Sequence, residues 1–263
     1  MTELPGLAYA LRDGAAYITL AEPEAGNPLN ASSLGGLELL VRRARRDDAR
    51  VVVLRAQGRA FSVGGDLAAV GGADDPESYI EEIAESIHRT VSDLLRLDAI
   101  VVSVVQGVAA GAGVPLAAAA DIVLAGESAR FTLAYTKVGL TPDGGSTLLS
   151  TSLGLHRALH LALLNPLLTA AEAQAAGLVA QVHPDDELDA ATERVVAQLL
   201  AGSRSAQVGA KRLLRNQVEP HPEGAMRLET LSIRAAAGSP DGREGVRAFL
   251  AKRRPDFTGP RER

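Results

Sequence analysis

From Ala99 to Ala120 the chain carries no charged side chain. An apolar stretch of that length admits two folds: a membrane-spanning helix, or a buried strand that hands over to a turn and a second element. Its content separates them. It opens with Ile100-Val101-Val102-Ser103-Val104-Val105, a β-branched run that reads as a strand buried on both faces. Gln106-Gly107 ends the run, further glycines fall at Gly111 and Gly113, Pro115 follows, and no basic flank sets a membrane orientation. The stretch therefore predicts strand, glycine turn, and an Ala-rich helix over Leu116–Ala120. Such a turn leaves free backbone N–H groups at a helix start, where a phosphate or a developing oxyanion can bind. A short strand is expected over Asp121–Ala125. Beyond it, Asp143 stands between Pro142 and Gly144-Gly145-Ser146. It is the candidate reactive carboxylate, and the same spacing also suits an Asp that merely caps a helix.

The rest of the chain supplies an α/β frame. Ala15–Leu20 reads as a strand, and Glu22–Asn30 as a Pro/Gly/Asn-rich turn. Asn30 or Ser32 caps a helix with Leu34, Leu37, Leu40, Val41 and Ala44 on one face. Its basic end, Arg42 to Arg46, reads as a solvated face suited to the negative pole of the helix. Arg50–Ala56 is a buried strand, followed by the glycine pair Gly64-Gly65 and Asp66. A helix over Glu77–Leu97 carries Ile80, Ile83, Ile87, Val91, Leu94 and Leu95 on one face, and His88 in it reads as a solvated or hydrogen-bonded helix histidine. A helix is expected over Thr147–Leu164. A capping box follows at Thr169–Glu172, with Gly177 as the helix stop and a strand over Leu178–Val182. From Asp185 onward the pattern is helical: Glu187–Ala201, Ala206–Gln217, Pro222–Ala236 and Gly242–Arg253. The alternation places residues 1–200 in an α/β core and 201–263 in a C-terminal helical region with apolar faces suited to a subunit interface.

Composition narrows the function. The formal net charge is −5, which does not favour nucleic acid, and the absence of cysteine excludes disulfides and thiolate chemistry. Gly-x-Gly-x-x-Gly is absent from the glycine turn, which removes the dinucleotide fingerprint. The first residues, MTELPGLAYA, hold no basic segment followed by a long apolar one, so a soluble cytoplasmic protein is expected.

Taken in order, these segments resemble the crotonase superfamily, the enoyl-CoA hydratase/isomerase fold. Gly58-Arg59-Ala60-Phe61-Ser62-Val63-Gly64-Gly65-Asp66-Leu67 is similar to the family's first oxyanion segment, and Gln106-Gly107-Val108-Ala109-Ala110-Gly111-Ala112-Gly113 to its second. Ala120–Ala125, Ala129-Arg130-Phe131, Val138–Pro142, Ala176–Val179 and the C-terminal Glu244-Gly245-Val246, Phe249 and Lys252–Phe257 continue the pattern. The resemblance implies a spiral of ββα units with a C-terminal helical trimerisation region, forming a homotrimer or a dimer of trimers. It implies an acyl-CoA thioester as substrate; no cofactor beyond that coenzyme A and no metal are expected. The acidic balance and the interrupted apolar stretch leave no nucleic-acid or membrane partner expected. The backbone N–H groups of Gly65 and Ala112 would hold the thioester oxygen. Ser62, Val63, Gly64, Asp66, Leu67, Pro115, Tyr135 and Pro142 would contact substrate.

Two departures from the family pattern point to the reaction. The two glutamates of the hydratases fall, by the resemblance, at Pro115 and Tyr135, neither of which can activate water as a carboxylate does. Asp143 occupies the place where the epoxyphenylacetyl-CoA isomerase and enoyl-CoA isomerase branch carries an acid/base aspartate. One carboxylate suffices to move a double bond. The expected activity is therefore acyl-CoA double-bond isomerisation. A decarboxylase, hydrolase or weak hydratase on the same scaffold, or a non-catalytic acyl-CoA-binding protein, are the alternatives. Glu22–Asn30 lacks the basic residue that many relatives place near the CoA phosphates, which leaves Arg59 and Lys252 for that task.

Overall fold

The computed structural model describes residues 2–218 and 220–258. The chain begins with strands β1 (Thr2–Leu4), β2 (Leu7–Arg12) and β3 (Ala15–Leu20), and then helix α1 (Ala31–Arg46). Asn30 caps α1 through a reciprocal pair of bonds with Ser33, as its side-chain type predicts. Strands β4 (Val51–Ala56) and β5 (Ala60–Ser62) lead to α2 (Leu67–Gly72) and α3 (Pro76–Leu95). Strands β6 (Ile100–Val105) and β7 (Val108–Ala110) lead to α4 (Gly113–Ala118), and β8 (Ile122–Gly126) to β9 (Arg130–Thr132).

These paired strands separate into two sheets. The first strand of each pair enters a seven-stranded sheet ordered β1-β2-β3-β4-β6-β8-β11, and the second enters a four-stranded sheet ordered β10-β9-β7-β5, where β10 is Leu168–Thr169 and β11 is Gln181–His183. From β3 through β11 the large sheet is parallel, while β1 and β2 pair antiparallel at its edge. The repeated ββα step winds the chain as a spiral, and each turn stacks on the last. Strands β3 and β6 are buried along their whole length, which is why they read as continuous apolar runs. The charge-free stretch is thus β6, β7 and α4. No helix among the described residues is long and apolar enough to cross a membrane.

The spacing misplaces two elements. The helix expected over Thr147–Leu164 is split into α5 (Leu149–Leu153) and α6 (Leu155–Leu164) at Gly154, whose φ of 73° no helix permits. The strand expected over Leu178–Val182 forms instead at β11. Leu178 and Val179 turn inward as core residues just past α7 (Ala170–Ala175).

The C-terminal helices are α8 (Leu188–Ala201), α9 (Arg204–Val218), α10 (Pro222–Ala237) and α11 (Pro240–Leu250). They continue the packing of the core. Met226, Ile233 and Ala237 of α10 and Val246 of α11 belong to the main buried cluster. Lys211 of α9 is buried with its Nζ 2.7 Å from Asp121 Oδ2 and donating to the Ala99 carbonyl at 2.9 Å. On α9, α10 and α11 large apolar side chains remain open, with Leu213 75% and Leu214 70% exposed.

Candidate active site

The two glycine segments predicted to hold an oxyanion lie side by side. Gly64 adopts φ 87°, and a Cβ there would stand 2.7 Å from the Ala110 carbonyl oxygen, so only glycine lets the backbones approach this closely. Ser62 braces the first segment from below. Its hydroxyl is fully buried, donates to the Asn27 carbonyl at 2.8 Å and accepts from the Gly64 N–H at 3.1 Å. The N–H groups of Gly65 and Ala112 donate to nothing among the described residues. Ala112 is the residue before α4, where backbone donors have no helical partner.

Both donors open into one cavity of about 370 Å³. Its walls are apolar, with Ile80, Ile83 and Ile87 from α3 and Ile233 and Phe249 from the C-terminal helices. Val63, Asp66, Leu67 and Tyr135 also line it, as expected for substrate contacts. Ser62, Gly64, Pro115 and Pro142 do not. Pro115 sits instead behind the 143–147 segment, 3.3 Å from where a Cβ on Gly144 would lie. The Asp66 carboxylate is occupied in capping α2, accepting from the N–H groups of Ala68 at 3.0 Å and Ala69 at 3.1 Å. Arg59 and Lys252 are exposed, and neither makes an ion pair among the described residues.

Asp143 reaches the cavity and is 4% exposed. Its carboxylate caps no helix. The short 3-10 turn over Ser146–Leu148 begins at Gly145 without a side-chain cap, which removes the helix-cap reading of this aspartate. The Tyr135 hydroxyl donates to Asp143 Oδ1 at 2.5 Å. Ala134 sets the tyrosine up for this. It adopts φ 57°, unusual for a residue with a Cβ, and turns the chain into the 3-10 turn that starts at Tyr135. Burial disfavours the charged form of Asp143 and pushes its carboxyl up to about 6, against the pull of the Tyr135 hydrogen bond. The Tyr135 phenol is held well above its ordinary value by burial and by the facing Asp143 carboxylate. The cavity thus offers two backbone donors and one carboxyl poised to exchange a proton near neutral pH.

Two buried polar residues stand behind this constellation: His88, which reads from the sequence as a solvated or hydrogen-bonded helix histidine, is the hydrogen-bonded one, and Glu229 escaped the sequence. His88 is 5% exposed and fully hydrogen-bonded, with Thr230 Oγ1 3.1 Å from Nδ1 and the Gly144 N–H donating to Nε2 at 3.0 Å. Glu229 is 3% exposed on α10. A signal for it existed: on the spacing Met226, Glu229, Thr230, Ile233, Ala237 the glutamate falls on the core-facing side of the helix, where an unpaired charge is costly.

A sequence profile described as enoyl-CoA hydratase/isomerase matches residues 11–260. The chain is 39% identical over 253 residues to the 1,2-epoxyphenylacetyl-CoA isomerase of Escherichia coli, covering 94% of this chain and 95% of that protein. It is 34% identical over 258 residues to the trans-2-decenoyl-[acyl-carrier-protein] isomerase of Streptococcus mutans, covering 96% and 98%. Among solved structures, an enoyl-CoA hydratase from Mycobacterium avium subsp. paratuberculosis superposes with a TM-score of 0.89 at 37% identity, over 98% of this chain and all of that one.

Proposed function

The chain belongs to the enoyl-CoA hydratase/isomerase family, and from that premise we propose that it is an acyl-CoA double-bond isomerase with Asp143 as its acid/base group. The observation that carries the reading is that Asp143 is the one buried carboxylate among the described residues lining the cavity, the partly exposed Asp66 capping α2 through Oδ1. By the resemblance, Tyr135 and Pro115 stand where the family's hydratases hold glutamates. Hydration needs one group to activate water and another to protonate carbon. A double-bond shift needs a single group that takes a proton at one carbon and returns it at another.

The steps follow from the geometry. The thioester oxygen accepts from the Gly65 and Ala112 N–H groups. Ionised Asp143 removes a proton from the substrate carbon, and the electron pair passes to the thioester oxygen as an enolate. Each aimed N–H is worth about 3 kcal/mol to that charge. The protonated carboxyl then returns the proton at the other end of the allylic system. Tyr135 keeps one carboxyl oxygen occupied and so fixes the orientation of the other. The apolar walls suit an aliphatic or hydrocarbon acyl group, and Arg59 and Lys252 supply cationic charge for the CoA phosphates.

The test is incubation with 3-enoyl-CoA and 2-enoyl-CoA in deuterated water. The reading expects a shifted double bond, with deuterium gained in proportion to solvent exchange at Asp143. Accumulation of 3-hydroxyacyl-CoA as main product, or release of free CoA, overturns it.

A further inference from the structure

The segment that carries Asp143 has no regular structure of its own. It runs from Pro142 through Gly144 (φ 71°) and Gly145 (φ 91°) into the short 3-10 turn. The two left-handed glycines turn the chain sharply here, and the N–H groups of Gly145 and Thr147 bind an anion. The anion here is a side chain. Glu229 Oε2 accepts from the Gly145 N–H at 2.8 Å, and Glu229 Oε1 accepts from the Thr147 N–H at 2.8 Å and from the Thr147 hydroxyl. His88 closes the arrangement, with Nε2 accepting from the Gly144 N–H at 3.0 Å and Nδ1 3.1 Å from Thr230 Oγ1, the residue after Glu229. Three residues of the segment, Gly144, Gly145 and Thr147, are thus tied to α3 and α10, and neither Glu229 nor His88 lines the cavity.

Resting on the assignment of Asp143 as the acid/base group, we propose that Glu229, seconded by His88, is the positioning residue of this enzyme, clamping the 143–147 segment so that the Asp143 carboxyl stands at a fixed place beside the Gly65 and Ala112 donors. A buried carboxylate is an expensive way to join a helix to a loop, and an apolar contact would hold the fold at lower cost. What the carboxylate adds is direction: fixed bonds to named amides, on the residues immediately after the reacting one. A displacement of about 1 Å at a reacting group costs on the order of 10²-fold in rate.

The groups facing Asp143 are Tyr135 from the 3-10 turn, His88 from α3 and Glu229 from α10. Glu85 of α3 and Arg227 of α10, paired at 2.6 Å, stand beside the His88–Glu229 pair. Of these, the Glu229 charge raises the Asp143 carboxyl.

The experiment compares Glu229→Gln, Thr147→Val, Thr147→Ser and Asp143→Asn with the wild type in steady-state isomerisation of 3-enoyl-CoA across pH. Glutamine turns an NH₂ toward N–H groups that need an acceptor. Glu229→Gln is expected to lower kcat by about tenfold to a hundredfold with KM changed by no more than about threefold. It also moves the acid limb of kcat/KM to lower pH, because a negative charge near Asp143 is gone. If Glu229→Gln does not fold, exposed Thr147 carries the test. Thr147→Val removes one bond to Glu229 and lowers kcat by about threefold, and Thr147→Ser restores it. Wild-type kcat in Thr147→Val, or a folded Glu229→Gln with wild-type kcat and an unmoved acid limb, overturns the positioning role while an inert Asp143→Asn leaves the catalytic assignment standing. Full activity in Asp143→Asn overturns both.

Discussion

The Tyr135 hydroxyl donates to Asp143 Oδ1 across 2.5 Å inside an apolar cavity. That bond stabilises the ionised carboxylate, while burial stabilises the neutral acid, and burial is the larger effect. The outcome is a carboxyl at about 6, which is ionised enough at neutral pH to act as a base and protonated easily enough to return the proton.

Replacing Asp143 separates function from stability. Asp143→Asn is expected to abolish isomerisation while leaving acyl-CoA binding within a few-fold, measured by turnover and by titration of a non-reactive acyl-CoA. Asparagine still accepts from Tyr135. A carboxyl raised from 3.8 to about 6 by folding destabilises the ionised native state. Stability from this group is present at low pH and is lost as pH rises through about 6. The variant is therefore expected to be more stable than wild type above pH 7, by at most about 3 kcal/mol, with the difference vanishing below pH 4. Thermal melts at pH 4 and 8 check this.

The acid limb of kcat/KM should fall near pH 6, where Asp143 takes up a proton and ceases to be a base. Tyr135→Phe removes a donor that favours the carboxylate, so the limb moves upward, by about one pH unit or more. A limb that stays in place in Tyr135→Phe means that the hydroxyl does not tune Asp143.

Gly65 distinguishes a backbone donor from a space requirement. A Cβ on Gly65 meets no protein atom within 4 Å, so Gly65→Ala keeps the fold and the N–H. Gly65→Pro removes the N–H and should lower kcat by about 10²-fold or more. Equal activity in a folded Gly65→Pro excludes this amide as an oxyanion donor.

The open apolar faces of α9 and α10 predict association. Leu213, Leu214, Leu228 and Leu231 are each 46% exposed or more, an arrangement a lone chain of this size leaves to water at a cost. A trimer or a dimer of trimers is expected by light scattering at micromolar concentration, and a monomer mass refutes it.

By itself the sequence determined the elements whose signal is local. The β-branched runs of β3, β4 and β6, the α1 cap at Asn30 and the capping box at Thr169 all formed where their residues placed them, because burial on both faces and side-chain-to-backbone bonds act within a few residues. The two glycine turns were legible for the same reason, while the spacing around Asp143 marked a carboxylate that suited either a helix cap or a reactive site. The three-residue strands β5, β7 and β9 were not, since their pairing partners lie in other turns of the spiral and three residues carry no period. Tertiary structure alone decided whether Asp143 capped a helix or faced a cavity, because its partner Tyr135 and the wall around it come from separate elements. It alone brought Glu229 and His88, far apart in the chain, against the backbone of Gly144, Gly145 and Thr147. A buried glutamate on a helix is visible as an irregularity in an apolar face. Which amides it holds depends on packing between elements, and that information exists only once the chain has folded.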